Sequence, residues 1–232
     1  MRINKYISAC GICSRREADR LVAAGEVRIN GMPAEMGSSV EEGDQVTLRG
    51  ELIRPRQEHI YLKFYKPKGI VCTSERREKN NLIDYLQMPD RVTYAGRLDK
   101  NSEGLLLLTD DGDLIDALMR GAHHHEKEYL VRVDRPLTED FLNKMRQGIY
   151  LPELEQTTRS CQVEQIDERF FKIILTQGLN RQIRRMCEAC GYRVQHLKRV
   201  RIANLLLGDM QRGEKRALTA RELEQLKKSV KK

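Results

Sequence analysis

The stretch 96–108 constrains this chain most: Gly-Arg-Leu-Asp-Lys-Asn-Ser-Glu-Gly, followed at once by four leucines. An apolar run of that length has no polar face, so it belongs to a strand covered on both sides. Immediately before it lies a polar loop bounded by Gly96 and Gly104, with the carboxylate of Asp99 inside it. A carboxylate on a loop that a rigid strand holds is well placed for chemistry. Arg97 and Lys100 flank it, which makes the surroundings electropositive and attractive to an anionic substrate.

The whole chain leans the same way. Its 232 residues carry 42 Lys and Arg against 34 Asp and Glu, a net charge of +8. That surplus suits a polyanionic partner without by itself selecting RNA. Residues 1–11 include Arg2 and Lys5 but no apolar leader segment, and no apolar run approaches the ~20 residues that span a bilayer. The expectation is a cytoplasmic chain with no membrane segment and reduced cysteines. Cys10 with Cys13 and Cys187 with Cys190 form two C-x-x-C pairs. They are far apart in sequence, and Cys10 extends the helical apolar stripe Ile3, Tyr6, Ile7, so zinc is not expected. Asp99, Asn101, Glu103 and Gly104 imitate the start of a calcium loop, but Leu107 occupies its ninth position and Asp110 its twelfth, where a bidentate Glu is needed. The run His123 to His125 has no spaced fourth ligand and reads as a solvated loop. No phosphate-cradling P-loop and no dinucleotide fingerprint occurs. Neither a metal nor a cofactor is expected.

Residues 1–50 read as a small module of helices and a β-hairpin. Ser14 caps a second helix with Glu17 three residues on. Ala18, Leu21 and Val22 form its buried side, and Gly25 stops it. Residues 27–29 are strand-like, Asn30-Gly31 is a hairpin turn, and 46–48 closes the module. Its polar side is basic: Arg2, Lys5, Arg15, Arg16, Arg20 and Arg28. Arg16 and Arg20 lie one helical turn apart, as either an RNA-binding face or a solvated one. Residues 51–59, with Arg54-Pro55-Arg56 and little apolar content, read as a flexible linker. In residues 60–232 strands are expected at 61–64, 70–73, 92–95, 105–108, 129–133, 160–164, 170–175, 194–199 and 205–207. Helices are expected at 113–119, 138–147, 181–190 and 220–228. Many strands with fewer helices predict an α+β domain with a mostly antiparallel, mixed sheet.

Four blocks fall in one order: Lys66-Pro67-Lys68-Gly69, the Gly96–Leu108 stretch, Lys127-Glu128-Tyr129-Leu130-Val131, and Gly178-Leu179-Asn180-Arg181-Gln182-Ile183-Arg184-Arg185-Met186. Together they resemble the signature of pseudouridine synthases, in the branch that modifies ribosomal RNA and carries a small RNA-binding module in front. The front module itself resembles the one named for small-subunit ribosomal protein S4. The resemblance implies the pseudouridine synthase fold and a redox-neutral isomerase: the N1–C1′ bond of a uridine breaks, the base turns, and C5 joins C1′. It implies that Asp99 acts at the sugar, as nucleophile or as base. Arg184 pairs with Asp99 and fixes its rotamer. Tyr129 packs against the flipped base. Arg97 enters the gap the uridine leaves, Gln182 and Ile183 shape the pocket wall, and Arg181 and Arg185 contact phosphates. The implied partner is ribosomal RNA, the large subunit favoured, with a small-subunit uridine or a tRNA anticodon uridine as alternatives. A monomer is the simplest assembly. The rival from another class is a non-catalytic RNA-binding assembly factor; the joint presence of Asp99, Tyr129 and Arg184 speaks against it.

Overall fold

The computed structural model describes residues 1–75, 77–119 and 125–230; His123 and His124 lie outside them. The chain forms two compact units. The first is Met1–Ile60 together with Met88–Thr93 and Thr109–Gly112. The second is Tyr61–Gln87, Tyr94–Leu108 and Asp113–Lys232.

The first unit opens with α1 (Ile3–Ala9) and α2 (Arg15–Ala23). Ser14 Oγ accepts from the Glu17 amide at 3.2 Å, the expected cap. The Glu17 carboxylate pairs forward with Arg20 at 2.8 Å instead of reaching back. A four-stranded antiparallel sheet follows, built from β1 (Val27–Ile29), β2 (Met32–Pro33), β3 (Val46–Leu48) and β4 (Glu51–Ile53), in the order β2-β1-β3-β4. Ile3, Ile7, Ala18, Val22, Val27 and Val46 are buried in its core. Asn30 and Gly31 both take positive φ (52° and 81°), the tight turn their sequence predicts.

Residues 51–59 depart from the flexible linker expected of them. Arg49 and Gly50 also take positive φ (53° and 88°), so a second two-residue turn folds Glu51–Ile53 back onto β3. Arginine seldom adopts that conformation, which hid the turn. Here the Arg49 amide donates to Glu26 O and its Nε to the Glu26 carboxylate, both at 2.8 Å. Beyond β4 the Arg56 amide donates to Ala9 O at 3.1 Å, and its guanidinium pairs with Asp90 at 2.9 Å, all within the first unit.

The second unit contains, in order, β5 (Tyr61–Lys66), α3 (Leu82–Leu86), β6 (Thr93–Ala95), β7 (Glu103–Thr109), α4 (Gly112–Met119), β8 (Lys127–Val133), α5 (Glu139–Gln147), β9 (Tyr150–Leu151), β10 (Gln156–Thr157), β11 (Gln162–Asp167), β12 (Phe170–Leu175), α6 (Gln182–Ala189), β13 (Val194–Ile202), β14 (Leu205–Leu206), β15 (Lys215–Ala217) and α7 (Ala220–Val230). The first residues of β6 and α4 and the last of β7 cluster with the first unit. The main sheet runs β11-β12-β8-β13-β7-β5-β15, with β14 on β13 and β6 on β7. The β13–β7 pair is parallel, whereas β11–β12, β12–β8, β13–β8 and β5–β15 are antiparallel. The fold is therefore α+β with the mostly antiparallel, mixed sheet that the strand count predicts.

Two apolar clusters cover this sheet. One joins Val131, Phe141, Phe171, Ile173 and Met186; the other joins Leu105, Leu107, Leu114, Leu118, Ile202 and Leu226. All four leucines of 105–108 are fully buried, as a run without a polar face requires. The strand expected at 70–73 is absent. Gly69 turns the chain at φ 91°, and Val71 makes only an isolated bridge to Asn81. Neither α3 nor β15 was expected: α3 (Leu-Ile-Asp-Tyr-Leu), capped by the Asn81 side chain, is too short to show a helical period, and β15 is an exposed edge strand of sequence Lys-Arg-Ala. A charged edge of that kind resists adventitious strand pairing. Among the described residues no helix is long and apolar enough to cross a membrane.

Gly104 is where β7 meets β13 in parallel register opposite Arg199. Its φ is 113°, and a Cβ there would collide with the backbone carbonyl oxygen of Arg199. Backbone cannot yield as a flexible side chain can. Gly104→Ala should therefore cost about 2–4 kcal/mol of stability, the sum of left-handed strain and overpacking, read as a lowered denaturant midpoint of unfolding.

Candidate active site

The chain segment between β6 and β7 carries Asp99, and every carbonyl oxygen of residues 99–102 accepts a hydrogen bond. Asp99 O accepts from the Ser102 amide at 3.0 Å and Lys100 O from the Gly69 amide at 2.8 Å. Asn101 O accepts from the Arg184 guanidinium at 3.1 Å, and Ser102 O from the Lys66 ammonium at 2.8 Å. Upstream, Gly96 O accepts from Arg199 at 3.1 Å. The loop is thus a fixed platform, although almost none of it is regular secondary structure. The turn at Pro67-Lys68-Gly69 serves it directly, because the left-handed Gly69 aims its amide at Lys100.

Arg184 reaches the loop from α6. Its Nε lies 3.7 Å from Asp99 Oδ2, while its terminal nitrogens donate to Asn101 O, Ser102 Oγ (3.2 Å) and Val194 O (3.4 Å). Nε itself is buried without a hydrogen-bond partner among the described residues. Burial pulls the guanidinium below its usual pKa, and the Asp99 charge opposes that pull. The Arg184 side chain is 10% exposed and that of Asp99 is 32% exposed, so the cation is fixed and the anion accessible.

Asp99 lines a cleft of about 330 Å³ in the second unit, and Arg184, which faces Asp99, stands outside the lining. Arg97, Leu98, Asp99 and Ser102 contribute one wall, and Leu179 to Ile183 contribute another. Lys127 and Tyr129 of β8 and Leu197 and Arg199 of β13 also line it. Tyr129 stands opposite Arg199 in the β8–β13 register, so the two share a sheet face. A volume of this size is enough for one nucleoside unit.

The structure brings together Arg97, Asp99, Tyr129, Arg181, Gln182 and Ile183 around that cleft. Arg181 takes φ 52° immediately before α6, a strained turn that delivers Gln182 to Arg184 inward. Gln182 is buried and its Oε1 accepts from the Leu179 amide at 3.1 Å, which ties down the preceding loop. Arg185 does not line the cleft: it donates to Asn180 O at 3.1 Å and pairs with Glu153 at 3.3 Å. In the first unit Arg15, Arg16, Arg20 and Arg28 are exposed. Arg2 donates to Gly37 O, Arg28 to Gly31 O, and Lys5 is half-buried on α1. Sequence reasoning missed Lys66, Ser102, Lys127 and Arg199 as site residues. The signal for Lys127 was parity: it alternates with Tyr129, Val131 and Val133, the inward face of β8.

The RNA pseudouridylate synthase family model aligns with residues 60–189, the stretch that carries Asp99, Tyr129 and Arg184. The S4 domain model aligns with residues 1–46. The chain belongs to the RNA pseudouridylate synthase family. This synthase is 47% identical over 232 residues to the dual-specificity RNA pseudouridine synthase RluF of Escherichia coli, covering 99% of this chain and 79% of that one. It is 32% identical over 233 residues to the ribosomal large subunit pseudouridine synthase B of Bacillus subtilis, covering 97% and 95%. A crystal structure of a pseudouridylate synthase superposes with a TM-score of 0.72 at 29% identity, covering 97% of this chain and 99% of that one. The synthase is accordingly an isomerase with an S4 domain in front.

Arg184 holds the loop and faces Asp99 through one planar fork. Lysine keeps the charge but offers a single ammonium. Arg184→Lys should lower kcat by about 10²-fold through misplacement of Asp99, with a smaller change in KM, in steady-state assays on an RNA substrate.

Proposed function

We propose that this synthase converts a uridine of large-subunit ribosomal RNA to pseudouridine, with Asp99 acting at C1′ of the flipped nucleotide. The observation that carries the reading is the Arg184–Asp99 pair, 3.7 Å apart, at a cleft that Tyr129 also lines. A flipped uracil stacks on the tyrosine ring. The accessible carboxylate then meets the sugar, as nucleophile at C1′ or as base toward an adjacent sugar proton. Arg97, exposed at the cleft, is suited to fill the gap left in the RNA stack. Arg181, also exposed at the cleft, is suited to a neighbouring phosphate. The reading takes the enzyme to be a monomer in the cytoplasm beside its substrate.

The name of the Escherichia coli relative, a dual-specificity enzyme, favours a second substrate class. A tRNA anticodon uridine is the candidate. The competing reading, an RNA-binding protein without activity, leaves the Arg184–Asp99 geometry without a purpose.

Tritium release from C5-labelled uridine separates these readings. Unmodified large-subunit RNA should release tritium with the wild type and none with Asp99→Asn, which removes the charge and keeps the shape. Release from small-subunit RNA or tRNA instead would redirect the target. No release from any of the three would favour the binder.

The S4 module makes an independent prediction. Arg16 and Arg20 share one face of α2, and Arg20 is partly engaged by Glu17. Replacing both with Ala should weaken RNA binding and flatten log Kd against log salt by about one unit for each phosphate that the two arginines neutralise. An unchanged slope in filter-binding titrations would exclude α2 from the RNA interface.

A further inference from the structure

Three cations are buried together in the second unit without a carboxylate partner. Arg199, 1% exposed, donates to Leu105 O at 2.8 Å and Gly96 O at 3.1 Å. Lys66, fully buried, donates to the carbonyls of Pro67 and Ser102. Lys127, 8% exposed, donates to His125 O at a long 3.2 Å. None of the three is ion-paired among the described residues, whereas the buried Lys63 of the same unit pairs with Glu222 at 2.6 Å. A buried charge without a counter-charge is costly, and a fold that needed only packing there would use an apolar side chain. The hydrogen bonds of Lys66 and Arg199 account for them, since they hold the Asp99 loop and the start of β7. Lys127 holds nothing of that loop. It lines the cleft, two residues from Tyr129 on the same face of β8, with Arg199 near it.

We propose that Lys127 is a further catalytic residue, whose ammonium donates a hydrogen bond to the uracil ring while that ring carries negative charge. The inference rests on the pseudouridine synthase reading above. When the N1–C1′ bond breaks, its electron pair stays with the uracil, delocalised over N1 and the two carbonyl oxygens. C5 then returns an electron pair to C1′, the C5 proton is lost, and N1 takes up a proton, so the sum is an isomerisation. The proton lost from C5 is balanced by the one gained at N1, no electron is exchanged, and Lys127 keeps its own proton. A fixed cation stabilises the departing anion more than it stabilises the neutral base. Burial, and secondarily the Arg199 charge, bring the Lys127 ammonium down to about 8, which leaves it protonated at neutral pH and a strong donor.

Lys127→Met keeps the length and removes the charge. Three measurements on the full chain test the idea: the single-turnover rate of N1–C1′ cleavage on RNA with uridine at the target, the rate of the same cleavage with 5-fluorouridine there, where C5 has no proton to lose and the reaction stops short of product, and equilibrium binding. Fluorine at C5 makes the ring a better anion, so it needs the ammonium less. The expected result is a rate about 10²-fold lower on uridine, a clearly smaller loss on 5-fluorouridine, and Kd within about threefold, as for an interaction made only in the transition state. The variant should also melt no lower than the wild type at neutral pH, because it removes a desolvated charge. Between pH 8 and 10.5 an unfolded lysine holds a proton that the folded Lys127 has shed, so the Lys127 contribution to stability increases with pH there, and the wild type should gain stability relative to the variant across that window. Equal losses on both substrates, a loss confined to Kd, wild-type rates, or unfolding of both Lys127→Met and Lys127→Gln would each overturn the proposal. A wild type that isomerises neither rRNA nor tRNA would overturn the parent reading instead.

Discussion

Four consecutive carbonyl oxygens, Asp99 to Ser102, each accept one hydrogen bond: one from the loop's own Ser102 amide, two from the stretch Lys66 to Gly69 and one from Arg184. The rest of the site depends on that tethering. A loop has no ladder to fix it, so its geometry is only as precise as the donors that reach it. Two of these donors are charged side chains buried for the purpose, Lys66 and Arg184. A charged donor makes a stronger hydrogen bond than an amide, and inside a dry core it has no competing water. The arrangement also explains why Ser102 is buried. Its carbonyl binds Lys66 and its hydroxyl binds Arg184, so one residue joins β5 to α6.

The same loop leads into the seam of the main sheet. The parallel β13–β7 pair joins the strands that cover one apolar cluster to those that cover the other. Gly104 lets the backbones approach, and Arg199, opposite it, ties Gly96 and Leu105 to β13. Glu103, adjacent to that glycine, is almost fully buried between His196 at 2.6 Å and Arg212 at 2.8 Å. Burial works against its charge, yet the hydrogen bonds from Arg212 and His196 hold the carboxyl at about 2. Ordinary acidity therefore leaves this anchor ionised, and the end of the loop remains fixed.

What was readable in the sequence follows from what carried a local signal. The Ser14 cap, the Asn30-Gly31 turn and the unbroken leucine run each encode their structure within a few residues, and each formed as expected. Asp99, Tyr129 and Arg184 were singled out by the resemblance of whole blocks to a known family, and the structure sets Asp99 and Tyr129 at one cleft with Arg184 facing Asp99. The second two-residue turn was hidden because Arg49 holds a conformation its type seldom adopts, stabilised by Glu26, which lies 23 positions earlier. Strand β15 has no apolar pattern to read, since it lies at an edge and pairs with β5 alone. Arg185 lies outside the cleft lining, and a run of basic residues does not reveal which of them meets an acid. Glu153, on a different element, answers that.

The distribution of charge inside the second unit has its own logic. Arg97 and Arg181 are exposed at the cleft, whereas three cations at or behind it are buried and held by rigid acceptors: Arg184 by three oxygens, Arg199 by two carbonyls, Lys127 by one. The anion, Asp99, is about a third exposed and lies in ion-pair contact rather than hydrogen-bond contact with Arg184. A reacting group has to move toward its substrate, whereas the groups that set the potential around it do best when they cannot reorganise. Had the site been built for stability, Asp99 would sit against Arg184 in a bidentate pair and the lysines would have acids of their own, as Lys63 does. The unit instead keeps positive charge unneutralised where negative charge develops during the reaction, a loss of stability in the resting fold that only the substrate's chemistry can recover.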